Sequence, residues 1–178
     1  MLFQAYDNHL DQLTAVAERV CRVLREAGIE YRIVGGLAVL FHVGSRDPLA
    51  ARLTKDVDLA VDRADLPRIT EAVRGLGLEY RHVAGVDVLV AIASPKTSSA
   101  VHLVFVHDFS EPTVSERGIV LASAAEIIRM KLTIFRQGDK THIIDMDSVG
   151  LITPEIEAAL SEPLRERLEK VRVEERGA

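Results

Sequence analysis

Tyr31-Arg32-Ile33-Val34-Gly35-Gly36 and, after nineteen intervening residues, Asp56-Val57-Asp58-Leu59-Ala60-Val61 are the stretches that decide the fold. Tyr31 to Val34 is short and β-branched at its end, and it runs straight into a glycine pair. Leu37 to Val43 then returns to a helical composition, so the order is strand, tight turn, helix. In the second stretch Val57, Leu59 and Val61 alternate with Asp56, Asp58 and Ala60, a strand with both carboxylates on one face. Such a pair can hold one hard cation or bridge two. With Mg²⁺ it can grip the phosphates of a nucleoside triphosphate and polarise an attacking hydroxyl. Lacking Cβ atoms, Gly35 and Gly36 let backbone N–H groups and the start of the next helix approach phosphate oxygens. Alone, a Gly-Gly pair is usually only a turn, and alternating acids are usually a solvated face. Their order within one strand-turn-helix-strand unit carries the reading.

Outward from this unit, Leu10, Leu13, Val16, Ala17, Val20, Leu24 and Ala27 recur at helical spacing, and Gly28 stops that helix. Between the two stretches lies a polar loop, Gly44 to Lys55, with Pro48 and the basic residues Arg46, Arg52 and Lys55. Asp65 and Pro67 open a helix through Val73. Leu78 to Val83, Val86 to Ile92 and Ala100 to Val106 are expected strands, the first two joined by a hairpin at Ala84-Gly85 and the last preceded by a turn over Ser94 to Ser99. Ile119 to Leu121 adds a short strand. Ser123-Ala124-Ala125-Glu126 is a capping box for a helix to Arg136; Asp139 caps a second helix, Thr153-Pro154 a third and Ser161 a fourth. Glu174 to Ala178 are expected to fray. The pattern is an α/β chain of the α+β kind: a mixed sheet with flanking helices over residues 1–122, and a helical bundle over 123–178 packed on it.

Composition narrows the classes. The 178 residues carry 22 Lys+Arg against 27 Asp+Glu, a net charge of −5, which argues against indiscriminate duplex binding while leaving room for a local basic patch. With 48% hydrophobic residues a core can be filled, so disorder is excluded. One cysteine, Cys21, permits neither an internal disulfide nor a thiolate cluster, and a reducing compartment, the cytoplasm, is expected. The longest apolar stretch, Ile33 to Phe41, is far short of the roughly 20 residues a membrane span needs. Asp7, His9 and Asp11 sit where the apolar region of a secretory signal would lie.

The segment 31–61 resembles the nucleotidyltransferase superfamily of the DNA polymerase β fold, whose signature is a hydrophobic residue and Gly-Gly or Gly-Ser, then Asp-hydrophobic-Asp. The Arg52, Thr54, Asp56, Asp58 spacing is similar to AbiEii-type toxins of type IV toxin–antitoxin systems and related minimal nucleotidyltransferases. Met130-Lys131-Leu132, Arg136 and Asp145 are similar to that group's helical motif. The resemblance implies Mg²⁺- or Mn²⁺-dependent transfer of a nucleoside monophosphate from a nucleoside triphosphate to a hydroxyl of a tRNA end or a protein, with a cognate antitoxin where the toxin role holds. Asp56 and Asp58 would hold metal, and Gly35, Gly36, Arg52, Thr54 and Lys55 would meet the nucleotide. Lys131 would meet the triphosphate charge. Two departures stand out: the gap from Gly36 to Asp56 is longer than usual in the family, and Val101-His102-Leu103 occupies the place of its third carboxylate. Histidine is a poor Mg²⁺ ligand beside carboxylate. Asp87, one strand earlier, is the other candidate. The competing class is a nucleotidyltransferase-like binding module without turnover.

For other residues the plainer readings are a sheet-bonded His102, a Lys131 that snorkels from an otherwise apolar helix face, and a Cys21 that only packs. His142 and Asp145, with Asp139 nearby, form a further candidate metal cluster.

Overall fold

The computed structural model describes residues 2–93 and 100–177, with side chains from residue 10 onward. The turn expected over 94–99 lies outside the described residues. Among the described residues seven strands form one mixed sheet: β1 (Tyr31–Val34), β2 (Val57–Val61), β3 (Leu78–Val83), β4 (Val86–Ala91), β5 (Val101–Phe105), β6 (Thr113–Val114) and β7 (Val120–Leu121), in the spatial order β3-β4-β5-β2-β1-β7-β6. β1 runs antiparallel to β2 and parallel to β7, while β2 runs parallel to β5. The helices are α1 (Leu2–Glu26), α2 (Gly35–Gly44), α3 (Leu66–Arg74), α4 (Ala124–Ile134), α5 (Gln137–Ser148), α6 (Pro154–Ala159) and α7 (Glu162–Arg176).

Alternation along β2 sorts its two faces. Val57, Leu59 and Val61 are fully buried in the core with Ile33 of β1, Ala17 and Leu24 of α1, and Ile69 and Val73 of α3. Burying a side chain of this kind is worth about 1.5–3 kcal/mol. The same continuous core takes in Ile127, Ile128 and Leu132 of α4, Ile143 and Met146 of α5, and Leu168 and Val171 of α7. Arg68 of α3 donates to the carbonyl of Ala27 at 2.7 Å, satisfying one of the orphan acceptors at the end of α1.

Several boundaries differ from expectation. α2 begins at the glycines themselves, and α4 stops at Ile134 because Phe135 adopts a left-handed conformation, φ 58°. Only half of the expected capping box forms: Ser123 Oγ accepts from the N–H of Glu126 at 3.2 Å, but the Glu126 carboxylate accepts from the Ser110 hydroxyl instead. Asp139 is the third residue of α5 rather than its cap, and its carboxylate accepts from the N–H of Arg136 at 3.0 Å. Glu174 to Arg176 remain helical, the last turn tied by Lys140–Glu174 at 2.9 Å and Arg176–Glu169 at 2.5 Å.

Candidate active site

Where β1 ends and β2 and β5 begin, strand register gathers the residues of the sequence motif. Antiparallel pairing sets Val34 opposite Asp58, and parallel pairing sets Asp58 beside His102. Cross-strand partners share a face, so His102 points the same way as Asp58, and its Nδ1 lies 3.3 Å from Asp58 Oδ1. Histidine, not acid, is the neighbour of Asp58 on β5. Asp87 does not supply the missing carboxylate. It pairs with Leu103, whose side chain lies on the opposite face, and there it accepts from the Tyr80 hydroxyl at 2.6 Å, with His82 Nδ1 at 2.9 Å and Arg63 at 3.5 Å. The Tyr80 and His82 bonds hold its carboxyl below the usual range.

The glycine pair is required by the site's own side chains. Gly35 has φ +66°, and a Cβ there would lie 1.8 Å from Asp58 Oδ2. At Gly36 a Cβ would lie 2.6 Å from Thr54 Oγ1 and 3.6 Å from His142 Cε1. Asp58 thus leans over the first residue of α2 and Thr54 over the second, where the unpaired N–H groups of that helix begin. Burial pushes the Asp58 carboxyl above its usual range; the charge and hydrogen bond of His102 oppose this, the charge of Asp56 adds to it, and Lys131 opposes it.

Lys131 reaches this place from α4. Its Nζ is 2.8 Å from Asp139 Oδ1, and both side chains are largely buried, at 13% and 9% exposure, which rules out a snorkelling surface lysine. Lys131 lines a cavity of about 300 Å³ with Gly35, Asp58, Arg136 and Asp139, and Val104, Ile127, Met130 and Ile134 form its apolar side. Arg52 behaves differently from Lys131: its Nε donates to Asp145 Oδ1 at 2.8 Å, so the long loop is pinned to α5. Asp145 is buried, and among the described residues neither its Oδ2 nor His142 Nδ1 has a partner. Lys55 is exposed on the same loop. The cluster expected of His142, Asp145 and Asp139 does not form, because Asp139 is bound to Lys131 and Asp145 to Arg52; among the described residues no three His, Cys, Asp or Glu side chains are grouped to hold a metal ion. His42 is a buried structural residue whose Nε2 is 2.8 Å from the carbonyl of Ala122. Cys21 is buried packing. Sequence reading missed the Lys131–Asp139 and Arg52–Asp145 pairs, which join residues 8 and 93 positions apart.

Among the described residues no helix is long and apolar enough to cross a membrane. No family model matches the chain, and no curated protein matches it in sequence. Solved structures do resemble it. An antigenic nucleotidyltransferase-like protein from Paracoccidioides brasiliensis is 21% identical, with 92% of this chain and 88% of that one covered and a TM-score of 0.62. ANT(2'')-Ia in complex with adenylyl-2''-tobramycin is 14% identical over 90% of this chain and 98% of that one, with a TM-score of 0.57. The Megavirus polyadenylate synthase is 12% identical over 92% of this chain and 32% of that one, with a TM-score of 0.51. At these identities the likeness is one of architecture, and the chain has the fold of the nucleotidyltransferases, with the glycine turn, Asp58 and Lys131 around one cleft.

Proposed function

We propose that this chain transfers a nucleoside monophosphate from a nucleoside triphosphate to a hydroxyl acceptor, with pyrophosphate leaving. The observation that carries the reading is the meeting of Gly35, Asp58 and Lys131 in one cavity, a phosphate-sized approach to a helix start with an acid and a cation on either side. Among the described residues Asp56, Asp58 and His102 are not grouped as a three-ligand metal site; what favours a cation here is Asp58, desolvated and repelled by Asp56. Asp56 and Asp58 would hold the ion, with the His102 ring beside Asp58. An ion bound there would offset phosphate charge and activate the acceptor hydroxyl. The first N–H groups of α2, at Gly35 and Gly36, receive phosphate oxygens, and Lys131, fixed by Asp139, meets the charge that builds on the leaving pyrophosphate. Val104, Ile127 and Met130 give one side of the cleft an apolar lining. Residues 1–122 thus supply the metal and phosphate end, and 123–178 supply the cation. A tRNA end or a protein is the acceptor we favour, and a toxin role with an antitoxin partner rests on the Arg52 to Asp58 spacing.

His102 in the place of an acid favours one second reading, a nucleotide-holding module without turnover. The deciding experiment incubates the chain with each α-phosphate-labelled nucleoside triphosphate, Mg²⁺ or Mn²⁺, and total cellular RNA and protein. Label on an acceptor, lost in Asp56→Asn/Asp58→Asn, supports the enzyme. A metal-dependent rise in melting temperature with nucleotide but no labelled acceptor supports the module. Absence of both results refutes the site.

A further inference from the structure

Arg19, Arg22 and Arg25 stand three residues apart along α1. Ala17, Val20, Cys21 and Leu24 of the same helix are buried in the core, which turns the arginines outward. With Arg117, in the turn between β6 and β7, they line a trough of about 270 Å³ whose one acidic wall residue is Glu18. Glu18 is already paired with Arg117 at 3.0 Å. Arg25 also borders an adjoining cavity of about 300 Å³ together with Arg32, itself paired with Glu30 at 3.0 Å. Among the described residues Arg19, Arg22 and Arg25 make no ion pair and no side-chain hydrogen bond. An acidic chain, net −5, thus keeps three unmatched guanidiniums side by side. At physiological ionic strength screening acts over about 8 Å, so a ligand at the trough feels this patch and not the net charge.

We propose that the trough is a docking surface for the phosphate backbone of a nucleic acid strand. The helical rise of about 1.5 Å per residue spaces the three stems over about 9 Å, enough for a short run of consecutive phosphates. Guanidinium forks suit phosphate oxygens better than ammonium groups do. A folded protein partner would need a buried aromatic or aliphatic anchor, whereas the apolar members of the wall, Cys21 and Ile119, are already 3% and 2% exposed within the core. A phosphate chain needs no such anchor. The adjoining cavity lies at Tyr31, the start of β1, and the glycine turn follows its end at Val34. That is about 10 Å along the strand, a distance a few nucleotides span. The surface exists whether or not the cleft turns over, so it stands independently of the transfer reaction.

The test uses the full chain and a fluorescein-labelled single-stranded RNA of mixed sequence, ~20 nucleotides long, followed by anisotropy between about 50 and 200 mM salt. Three phosphate contacts give a slope of log affinity on log salt of about −2. Arg19→Gln/Arg22→Gln/Arg25→Gln, exposed positions that leave the melting temperature in place, should weaken binding by about tenfold or more at the low end and bring the slope toward zero. The nucleotide-and-metal melting shift of the triple variant should equal that of the parent, which separates loss of this surface from failure of the cleft. Equal affinity and slope in parent and variant, or no salt-dependent RNA binding by the parent, overturns the proposal. Displacement of the RNA by poly-glutamate at equal charge assigns the trough to an acidic protein segment and overturns it as well.

Discussion

Gly35→Ala tests the central geometric claim, that Asp58 occupies the space a side chain would take on the glycine turn. Two costs add in this variant. Holding alanine at φ +66° costs roughly 1–2 kcal/mol. Its methyl would also lie 1.8 Å from Asp58 Oδ2 and 2.6 Å from Asp58 Cγ, an overpacking that costs about 1–3 kcal/mol once the carboxylate is driven aside. The total is about 2–5 kcal/mol, and for a chain of this length each kcal/mol moves Tm by about 2–4 °C. In an Asp58→Ala background the colliding carboxylate is gone and most of the second cost goes with it, leaving the backbone cost of about 1–2 kcal/mol and a 2.9 Å contact with the Cβ that alanine keeps at position 58. A double-mutant cycle by urea unfolding, with divalent metal chelated, should therefore return a positive coupling of up to about 3 kcal/mol between positions 35 and 58. Gly36→Ala is the control. Its neighbour at 2.6 Å is the Thr54 hydroxyl, and its cost should be unchanged by Asp58→Ala. If Gly35→Ala costs the same in both backgrounds, Asp58 does not lean over the turn and the assignment of the cleft fails.

Two further outcomes follow from the buried and paired histidines. Burial lowers the His42 pKa below its ordinary 6.5, so in acid the unfolded chain takes up a proton that the folded chain refuses; this contribution to stability is complete above pH 6.5 and is lost as pH falls below it. His42→Gln should therefore flatten the fall in urea-unfolding stability between pH 6.5 and 5 by up to about 1.4 kcal/mol per pH unit, and an unchanged slope would show that His42 is already protonated in the fold. At position 102, His102→Asp should strengthen Mg²⁺ relative to Mn²⁺ in the nucleotide melting shift, because a carboxylate replaces an imidazole beside Asp58; a lower Tm with no change in metal preference would remove position 102 from the site.

The parts of the fold visible in the sequence are those written in short periods. β2 could be read from the alternation of Val57, Leu59 and Val61 with acids, and the glycine turn from its position between a β-branched strand and an apolar helix. β6, Thr113–Val114, is too short to show any period. The left-handed Phe135 that ends α4 carries none of the glycine that normally announces such a stop, so the expected helix ran two residues too far. Asp139 looked like a cap because acids favour helix starts. It does serve the start of α5, but from inside it, and its second oxygen is spent on Lys131. At the site, spacing alone placed His102 where an acid was expected. Only the pairing of β2 with β5 decides that its ring faces Asp58, and only the β4–β5 register decides that Asp87 faces away. Both are long-range facts with no local signature.

The two cations assigned to the nucleotide differ in what their partners leave free. Lys131 carries three donors, of which Asp139 takes one at 2.8 Å, and Asp139 is in turn held through its other oxygen by the N–H of Arg136. The lysine is therefore fixed by its acid without being used up, and it faces the cavity it shares with Asp58 and Gly35. It can meet a phosphate oxygen while keeping Asp139. Arg52 has a different task. Its partner Asp145 is buried with one oxygen already unpaired, so drawing the exposed guanidinium away toward a phosphate would leave that carboxylate in the protein interior without its remaining partner. That loss keeps Arg52 on α5. What it positions is the end of the long loop, two residues before Thr54 and four before Asp56, so the residue whose spacing marks the motif serves the site by holding the chain that carries the acids.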